Sequence, residues 1–139
     1  MIPPHQRYVT YLESLTPESL EHLNEYVTSD VRFKDPFNDV VGRDAMAGVF
    51  EHMFESLGPV NFKVRGLALD GNLCLSKWDF EASLRGQRWT FDGMSAIVFN
   101  SNGRVVEHID YWDAASSFYE RLPFVGWVLS RFRGWISTR

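Results

Sequence analysis

The chain has 139 residues with a formal net charge of −4, a size at which one domain with a sizeable hydrophobic core is expected. This acidic balance argues against nucleic acid as the main partner, since nucleic-acid binding usually requires a basic face. The lone cysteine, Cys74, excludes an internal disulfide, and no apolar run has the length of a signal or membrane segment, so we expect a cytoplasmic protein without a membrane contact.

Apolar residues at helical spacing predict three helices near the start of the chain. The first is predicted to end near residues 14–16, from the pattern Tyr8, Tyr11, Leu12 and Leu15. The second begins after Thr16, a suitable N-cap, with Pro17 in its first turn. The third begins between Gly42 and Asp44 and ends at Gly58, followed by proline, and its apolar residues follow the i, i+3, i+4, i+7 rule closely.

Alternating apolar and polar residues predict a short strand at 31–35 and four longer strands at roughly 60–70, 73–84, 88–99 and 104–112. Glycine-containing turns between the longer strands favour antiparallel hairpins. A helix is predicted at 114–122, where Pro123 ends it, and the apolar stretch 124–136 is predicted to pack over a pocket or a partner subunit.

This order of elements predicts one α+β domain over residues 1–139, with a C-terminal helical tail at 114–139. Three N-terminal helices would cover one face of a curved, mainly antiparallel sheet. The concave space between the helices and the sheet is where a ligand is expected.

Asp35 is the last residue of the first predicted strand and lies between aromatic residues, in Phe33-Lys34-Asp35-Pro36-Phe37. Loss of water raises the pKa of a carboxyl group and makes it a useful proton acceptor near neutral pH. The structural alternative is a turn carboxylate that accepts backbone hydrogen bonds before Pro36 or caps the helix near Gly42. The sequence pattern leaves both roles open.

Strand faces indicate which side chains point toward the covered side. In strand 73–84, Trp78 and Phe80 alternate with Lys77 and Asp79, so the aromatic residues are predicted to face inward. The last strand has mixed faces: one holds Val105, Glu107, Ile109 and Tyr111, and the other holds Val106, His108, Asp110 and Trp112. Alternation does not decide between these faces, and we expect one to line a cavity and the other a subunit contact.

Other catalytic chemistry finds little support. The four histidines show no ligand spacing, and one histidine beside carboxylates makes a poor zinc site, so no metal is predicted. The sequence has no nucleophile motif and no phosphate-binding glycine loop. We therefore expect no cofactor.

Several of these features together resemble the ketosteroid isomerase and SnoaL-like branch of the NTF2-like superfamily. They are Asp35-Pro36-Phe37, Gly42-Arg43 before a helix, Trp78, the Gly103 turn and Tyr111-Trp112. The resemblance runs from Tyr11 to about Asp113 and implies an NTF2-like cone, a cystatin-like α+β roll. It implies that Asp35 is a general base and that Tyr11, at the matching position of the first helix, donates a hydrogen bond to the reacting oxygen.

The same resemblance implies that His108, Asp110 and Trp112 face the cavity. Ser95 stands where the isomerases use a protonated carboxylic acid as second donor, and a hydroxyl is the weaker donor there. His108 and Asp110 stand where the isomerases are apolar, and the alternative for this pair is a buried structural hydrogen bond. For Tyr11 the alternative is a core aromatic residue. The predicted ligand-binding residues are Phe50, Trp78, Phe80, Phe91, Ser95 and Trp112.

We therefore predict a cofactor-independent isomerase, cyclase or dehydratase acting on an apolar carbonyl compound of steroid or polyketide type. Asp35 would remove a proton, Tyr11 would stabilise the enolate, and the pair of His108 and Asp110 would return a proton. One alternative is an epoxide hydrolase-like reaction in which Asp35 or Asp110 activates water. The other is a non-catalytic ligand-binding or dimerisation module. The family implies a homodimer, for which the face bearing Tyr111 is available.

Overall fold

The computed structural model describes residues 1–117, so most of the predicted C-terminal tail lies outside the described residues. The helices are α1 (Pro4–Glu13), a 3₁₀ helix (Glu18–Glu25), α2 (Arg43–Leu57) and α3 (Ala114–Ser117). The strands are β1 (Val27–Lys34), β2 (Asp39–Val41), β3 (Asn61–Asp70), β4 (Leu73–Leu84), β5 (Gln87–Phe99) and β6 (Val105–Tyr111).

The strands form one six-stranded sheet in the order β2-β1-β6-β5-β4-β3. Among these strands of residues 1–117, only the pairing of β1 with β6 is parallel, and the other four pairings are antiparallel. The last of the described strands, β6, therefore lies near the centre of the sheet, between β1 and β5. This topology confirms the predicted α+β architecture with a mainly antiparallel sheet.

The N-terminal region differs from prediction in detail. The second helix is a 3₁₀ helix, in which Leu20 and Leu23 are buried. Strand β1 begins at Val27, earlier than the predicted residue 31, because Val27 is fully buried and pairs with Val105 of β6. Strand β2 was not predicted, since three residues are too few to show an alternating pattern.

The helices cover one face of the sheet with two neighbouring groups of buried residues. The larger group joins α1 and α2 to β1 and the centre of the sheet: Tyr8, Leu12, Phe33, Met46, Ile97 and Val105 are among its members. The second group is aromatic and lies on β4 and β5, with Trp78, Phe80, Ala82 and Trp89. The side chains predicted to face inward from β4 are thus in the interior.

The opposite face of the sheet carries both charges and exposed apolar groups. Ion pairs link neighbouring strands on this face, among them Arg65 with Asp79, Lys77 with Asp92, and Arg88 with Glu81. Leu75, Met94 and Tyr111 are exposed on the same face. Tyr111 is 59% exposed whereas His108 is 3% exposed, so from His108 onward β6 turns its even-numbered residues toward the helices. Within residues 1–117, no helix has the length and apolar character needed to cross a membrane.

Candidate functional site

A cavity of about 490 Å³ lies between α2 and the covered face of the sheet. Its polar lining consists of two carboxylates, two histidines and two smaller groups: Asp35, Asp110, His52, His108, Asn38 and Ser56. Its remaining described lining residues are apolar or aromatic, and no lysine or arginine is among them. The cavity is therefore suited to an apolar ligand that is not anionic.

Asp35 lies in the turn between β1 and β2 and also lines the cavity. Its Oδ1 accepts hydrogen bonds from the backbone N–H groups of Phe37 (2.8 Å) and Asn38 (2.7 Å) and from the Asn38 side chain (3.0 Å). Oδ2 receives only a longer contact from Asn38 Nδ2, at 3.3 Å. Asp35 is thus a turn residue and, through Oδ2, a carboxylate available to a ligand.

The environment of Asp35 makes it a better proton acceptor. Burial raises the pKa of this carboxyl above its ordinary value, and the charge of Asp110 raises it further. The hydrogen bonds from Phe37 and Asn38 act in the opposite direction, because they stabilise the ionised form. Burial is the largest of these effects, so the net pKa is raised.

Asp110 is the second carboxylate of the cavity, and it belongs to a hydrogen-bonded chain. Its Oδ1 contacts Nε2 of His108 at 2.7 Å and accepts a hydrogen bond from Oγ of Ser95 at 2.5 Å. Beyond these, Nδ1 of His108 lies 2.7 Å from Oη of Tyr8, and the indole N–H of Trp78 donates to Ser95 at 2.8 Å. We call these five residues the Asp110 network.

Tyr11 of α1 does not have the surroundings that the resemblance implies. Tyr11 donates its hydroxyl to the carbonyl oxygen of Ser19 at 2.8 Å, and its ring stacks on Tyr26. It is not among the described residues that line the cavity. Burial, reinforced by Tyr26 and Glu25, raises the pKa of Tyr11 to about 12. The structure therefore does not bring Tyr11 together with Asp35.

Tyr8, one helical turn earlier, is the α1 tyrosine that reaches the site. Its side chain is buried, and burial raises the pKa of its hydroxyl well above the ordinary value, with a further contribution from the charge of Asp110. Sequence reasoning placed Tyr8 only on the apolar face of the helix. Its spacing of three residues from Tyr11 was the available signal, because residues at that spacing share a face.

Five of the six predicted ligand-binding residues line the cavity: Phe50, Trp78, Phe80, Phe91 and Trp112. The sixth, Ser95, lies behind the surface as part of the Asp110 network. The ring of Phe91 stacks on Trp112, with centroids 4.2 Å apart, and on Phe80, at 4.7 Å. These rings form a continuous wall, to which Trp89 and Phe37 also belong although neither was predicted.

The described residues contain no cluster of three or more histidine, cysteine or carboxylate side chains that could hold a metal ion. His52 and His108 both line the cavity, but His108 already uses both ring nitrogens, toward Tyr8 and Asp110. The described site thus offers a ligand carboxylates, histidines and aromatic walls.

Comparisons with known proteins agree with this fold. The family described as SnoaL-like domain matches residues 8–108. No curated protein matches the chain. Among solved structures, an LEH-like epoxide hydrolase of M. tuberculosis is similar, with 18% identity, a TM-score of 0.65 and coverage of 85% of this chain and 86% of the other.

Two further solved structures have the same fold. One is a candidate SnoaL-like polyketide cyclase from Jannaschia sp. CCS1, with 13% identity, a TM-score of 0.68 and coverage of 81% of this chain and 88% of the other. The second is a hypothetical protein with a ketosteroid isomerase-like fold from Catenulispora acidiphila DSM 44928, in complex with trimethylamine. It has 12% identity and a TM-score of 0.70, and the alignment covers 82% of this chain and 88% of that one.

Proposed function

Because this chain belongs to the SnoaL-like domain family, we propose that its cavity catalyses a cofactor-independent proton transfer on an apolar carbonyl compound. The reaction would be of the isomerase, cyclase or dehydratase kind. The observation that carries the proposal is that two carboxylates, Asp35 and Asp110, line one mostly apolar cavity. Such a cavity shelters charged intermediates from water and strengthens each hydrogen bond made inside it.

Asp35 is the proposed general base. Its raised pKa supports this role, because a base is most effective when its pKa approaches the working pH. Its Oδ1 is held by the turn, so Oδ2 is the atom that would take a proton from carbon next to the ligand carbonyl. The mechanism does not use Tyr11, whose hydroxyl is bonded to Ser19.

The volume and the aromatic lining of the cavity favour a flat ligand of limited size. A cavity of about 490 Å³ lies within the range of small-molecule sites. The stacked rings of Phe80, Phe91 and Trp112 offer broad apolar surface to a fused-ring compound. We therefore propose a polycyclic or aromatic carbonyl compound as substrate class.

Hydrogen exchange tests this proposal without knowledge of the natural substrate. The protein is incubated in deuterium oxide with tetralone, an apolar fused-ring ketone, and loss of the protons beside the carbonyl is followed by NMR. Asp35→Asn should slow the protein-dependent exchange by roughly two orders of magnitude or more. Unchanged exchange in this variant would remove Asp35 as the base. A ligand that binds but never exchanges with the unaltered protein would favour the non-catalytic binding module.

An epoxide hydrolase-like reaction is the lower-ranked enzyme alternative. The fold is shared with the LEH-like epoxide hydrolase of M. tuberculosis, and Asp35 or Asp110 could activate a water molecule. However, no arginine is found among the described cavity-lining residues, which leaves an opened epoxide oxygen without a cationic partner. Release of a diol from styrene oxide by the purified protein would reverse this ranking.

We further propose one domain over residues 1–139, a cytoplasmic location and a homodimer. The exposed apolar side chains of Leu75, Met94 and Tyr111 lie on the sheet face away from the helices. Met94 and Tyr111 are direct neighbours across β5 and β6, so they form one patch. Burying that patch against a second copy would remove it from water. Sedimentation of the Met94→Glu variant as a monomer, beside a dimeric parent, is the expected result.

A further inference from the structure

Trp78 sets the direction of the hydrogen bonds in the Asp110 network. An indole N–H can only donate, so Ser95 Oγ must accept at their 2.8 Å contact. The hydroxyl proton of Ser95 is then available for Oδ1 of Asp110, 2.5 Å away. Trp78 and Ser95 are both buried, so water does not compete for these bonds. Oδ1 is therefore an acceptor from this side.

The second branch of the Asp110 network, through His108, reaches the same oxygen, Oδ1. Nε2 of His108 lies 2.7 Å from Oδ1, and with Oδ1 accepting, a neutral His108 must carry its proton on Nε2. Nδ1 is then an acceptor, and Tyr8 donates to it across 2.7 Å. Both branches thus point their protons toward Asp110.

The hydrogen bonds to Oδ1 leave the other carboxylate oxygen of Asp110, Oδ2, for a ligand. A carboxylate oxygen has about two lone-pair positions, and Oδ1 uses both, for Ser95 and His108. Oδ2 has no hydrogen bond from any of residues 1–117, while the Asp110 side chain is 20% exposed and lines the cavity. In the ionised carboxylate, Oδ2 is therefore an oxygen that can accept a hydrogen bond but not donate one.

We propose that Asp110 is an obligate hydrogen-bond acceptor for the ligand, which must present a hydroxyl, enol or N–H group to Oδ2. The substrate class narrows to apolar carbonyl compounds that also carry such a donor. Tyr8 is a positioning residue, because its donation to Nδ1 holds the His108 ring with Nε2–H on Asp110. This inference rests on the proposed function only in placing the ligand in this cavity.

An Asp110→Asn variant tests whether this position accepts a hydrogen bond from the ligand. Since Ser95 and His108 both donate to one oxygen, the asparagine must place its carbonyl there and present its NH₂ group to the cavity. Calorimetric titration with naphthol and with its methyl ether measures the preference for a donor. The unaltered protein should bind naphthol about tenfold more tightly than the ether, and the variant should lose or reverse this preference. An equal preference in both proteins would overturn the proposal.

A second measurement needs no variant at position 110 and no catalysis. Nitrogen-15 NMR of the His108 ring should show the proton on Nε2 in the free protein, and a proton on Nδ1 would overturn the proposal. Tyr8→Phe should shift the Nδ1 resonance and weaken the preference for naphthol, whereas Tyr11→Phe, on the same helix, should do neither. An Nδ1 resonance unmoved by Tyr8→Phe would remove Tyr8 from the network. Failure of tetralone exchange would overturn the proposed reaction alone, because these readouts require no turnover.

Discussion

Gly93 is the position where adding one methyl group should be most damaging to the site. It lies on β5 directly opposite Trp78 on β4. A Cβ at this position would lie 2.6 and 2.7 Å from two ring atoms of Trp78 and 2.8 Å from the backbone oxygen of Tyr111. The indole is buried and bonded to Ser95, and the Tyr111 oxygen is part of β6. Neither neighbour can withdraw without disturbing the sheet or the Asp110 network.

The expected cost of Gly93→Ala follows from these contacts. Overpacking of a filled interior costs about 1–3 kcal/mol, and loss of the Trp78 to Ser95 hydrogen bond adds about 1 kcal/mol. The free energy of unfolding should therefore fall by roughly 2–4 kcal/mol. For a chain of this length the melting temperature should fall by about 6–15 °C.

Thermal unfolding followed by circular dichroism measures this change. Gly66→Ala is the matched control, since Gly66 also lies in the sheet but nothing stands within 4 Å of its added Cβ. The control should melt close to the parent protein. If Gly93→Ala melted together with Gly66→Ala, the close approach of Trp78 to Gly93 would not constrain the fold, and the reasoning would be refuted.

Three further outcomes are expected. Tyr11→Phe should lower the free energy of unfolding by about 1 kcal/mol, because the hydrogen bond to Ser19 is lost. The variant should still catalyse hydrogen exchange of tetralone. A loss of exchange as large as that of Asp35→Asn would contradict this prediction. Burial raises the pKa of Asp35 in the folded protein above its ordinary value of 3.8, so the folded state holds this proton more tightly than the unfolded state. The contribution of Asp35 to stability should therefore be full below pH 3.8 and decline as the pH rises through the folded pKa. Urea titrations should show that, as the pH rises over that interval, the free energy of unfolding of the parent protein falls relative to that of Asp35→Asn. The same pH dependence in both proteins would contradict a raised pKa for Asp35. Cys74 is buried and burial raises the pKa of its thiol, so a thiol reagent should label it slowly in the native protein and rapidly in urea; immediate native labelling would be the contrary result.

Much of the fold follows from local patterns in the sequence. The apolar spacing of α2 and its end at Gly58 were predictable because periodicity and a glycine stop act within one segment. The hairpins joining β3, β4 and β5 were predictable from alternation and turn residues. Strand β2 was not, because its three residues are held by pairing with β1 and by the bond from Arg32 to Asp39 rather than by their own pattern.

Local sequence patterns predict only part of the candidate site. Alternation placed Trp78 and Phe80 inside, and the structure has them there. Which tyrosine of α1 reaches the sheet could not be decided from the helix itself, because Tyr8 and Tyr11 share one face and the choice depends on where the helix lies over the sheet. The sequence left open whether Asp35 is a turn residue or a cavity residue. In the structure it is both, since it accepts backbone hydrogen bonds of the turn and also lines the cavity.

The central position of β6 makes the cavity depend on a strand from the end of the described chain. Pairing Phe33 of β1 with His108 of β6 closes most of the described chain into one loop, and such long-range pairing is slow compared with local contacts. Until β6 enters the sheet, β1 and β5 both lack a neighbour and Asp35 has no Asp110 beside it. A ribosome must therefore complete nearly the whole described sequence before the ligand site exists. Early termination before residue 105 removes the site outright rather than weakening it.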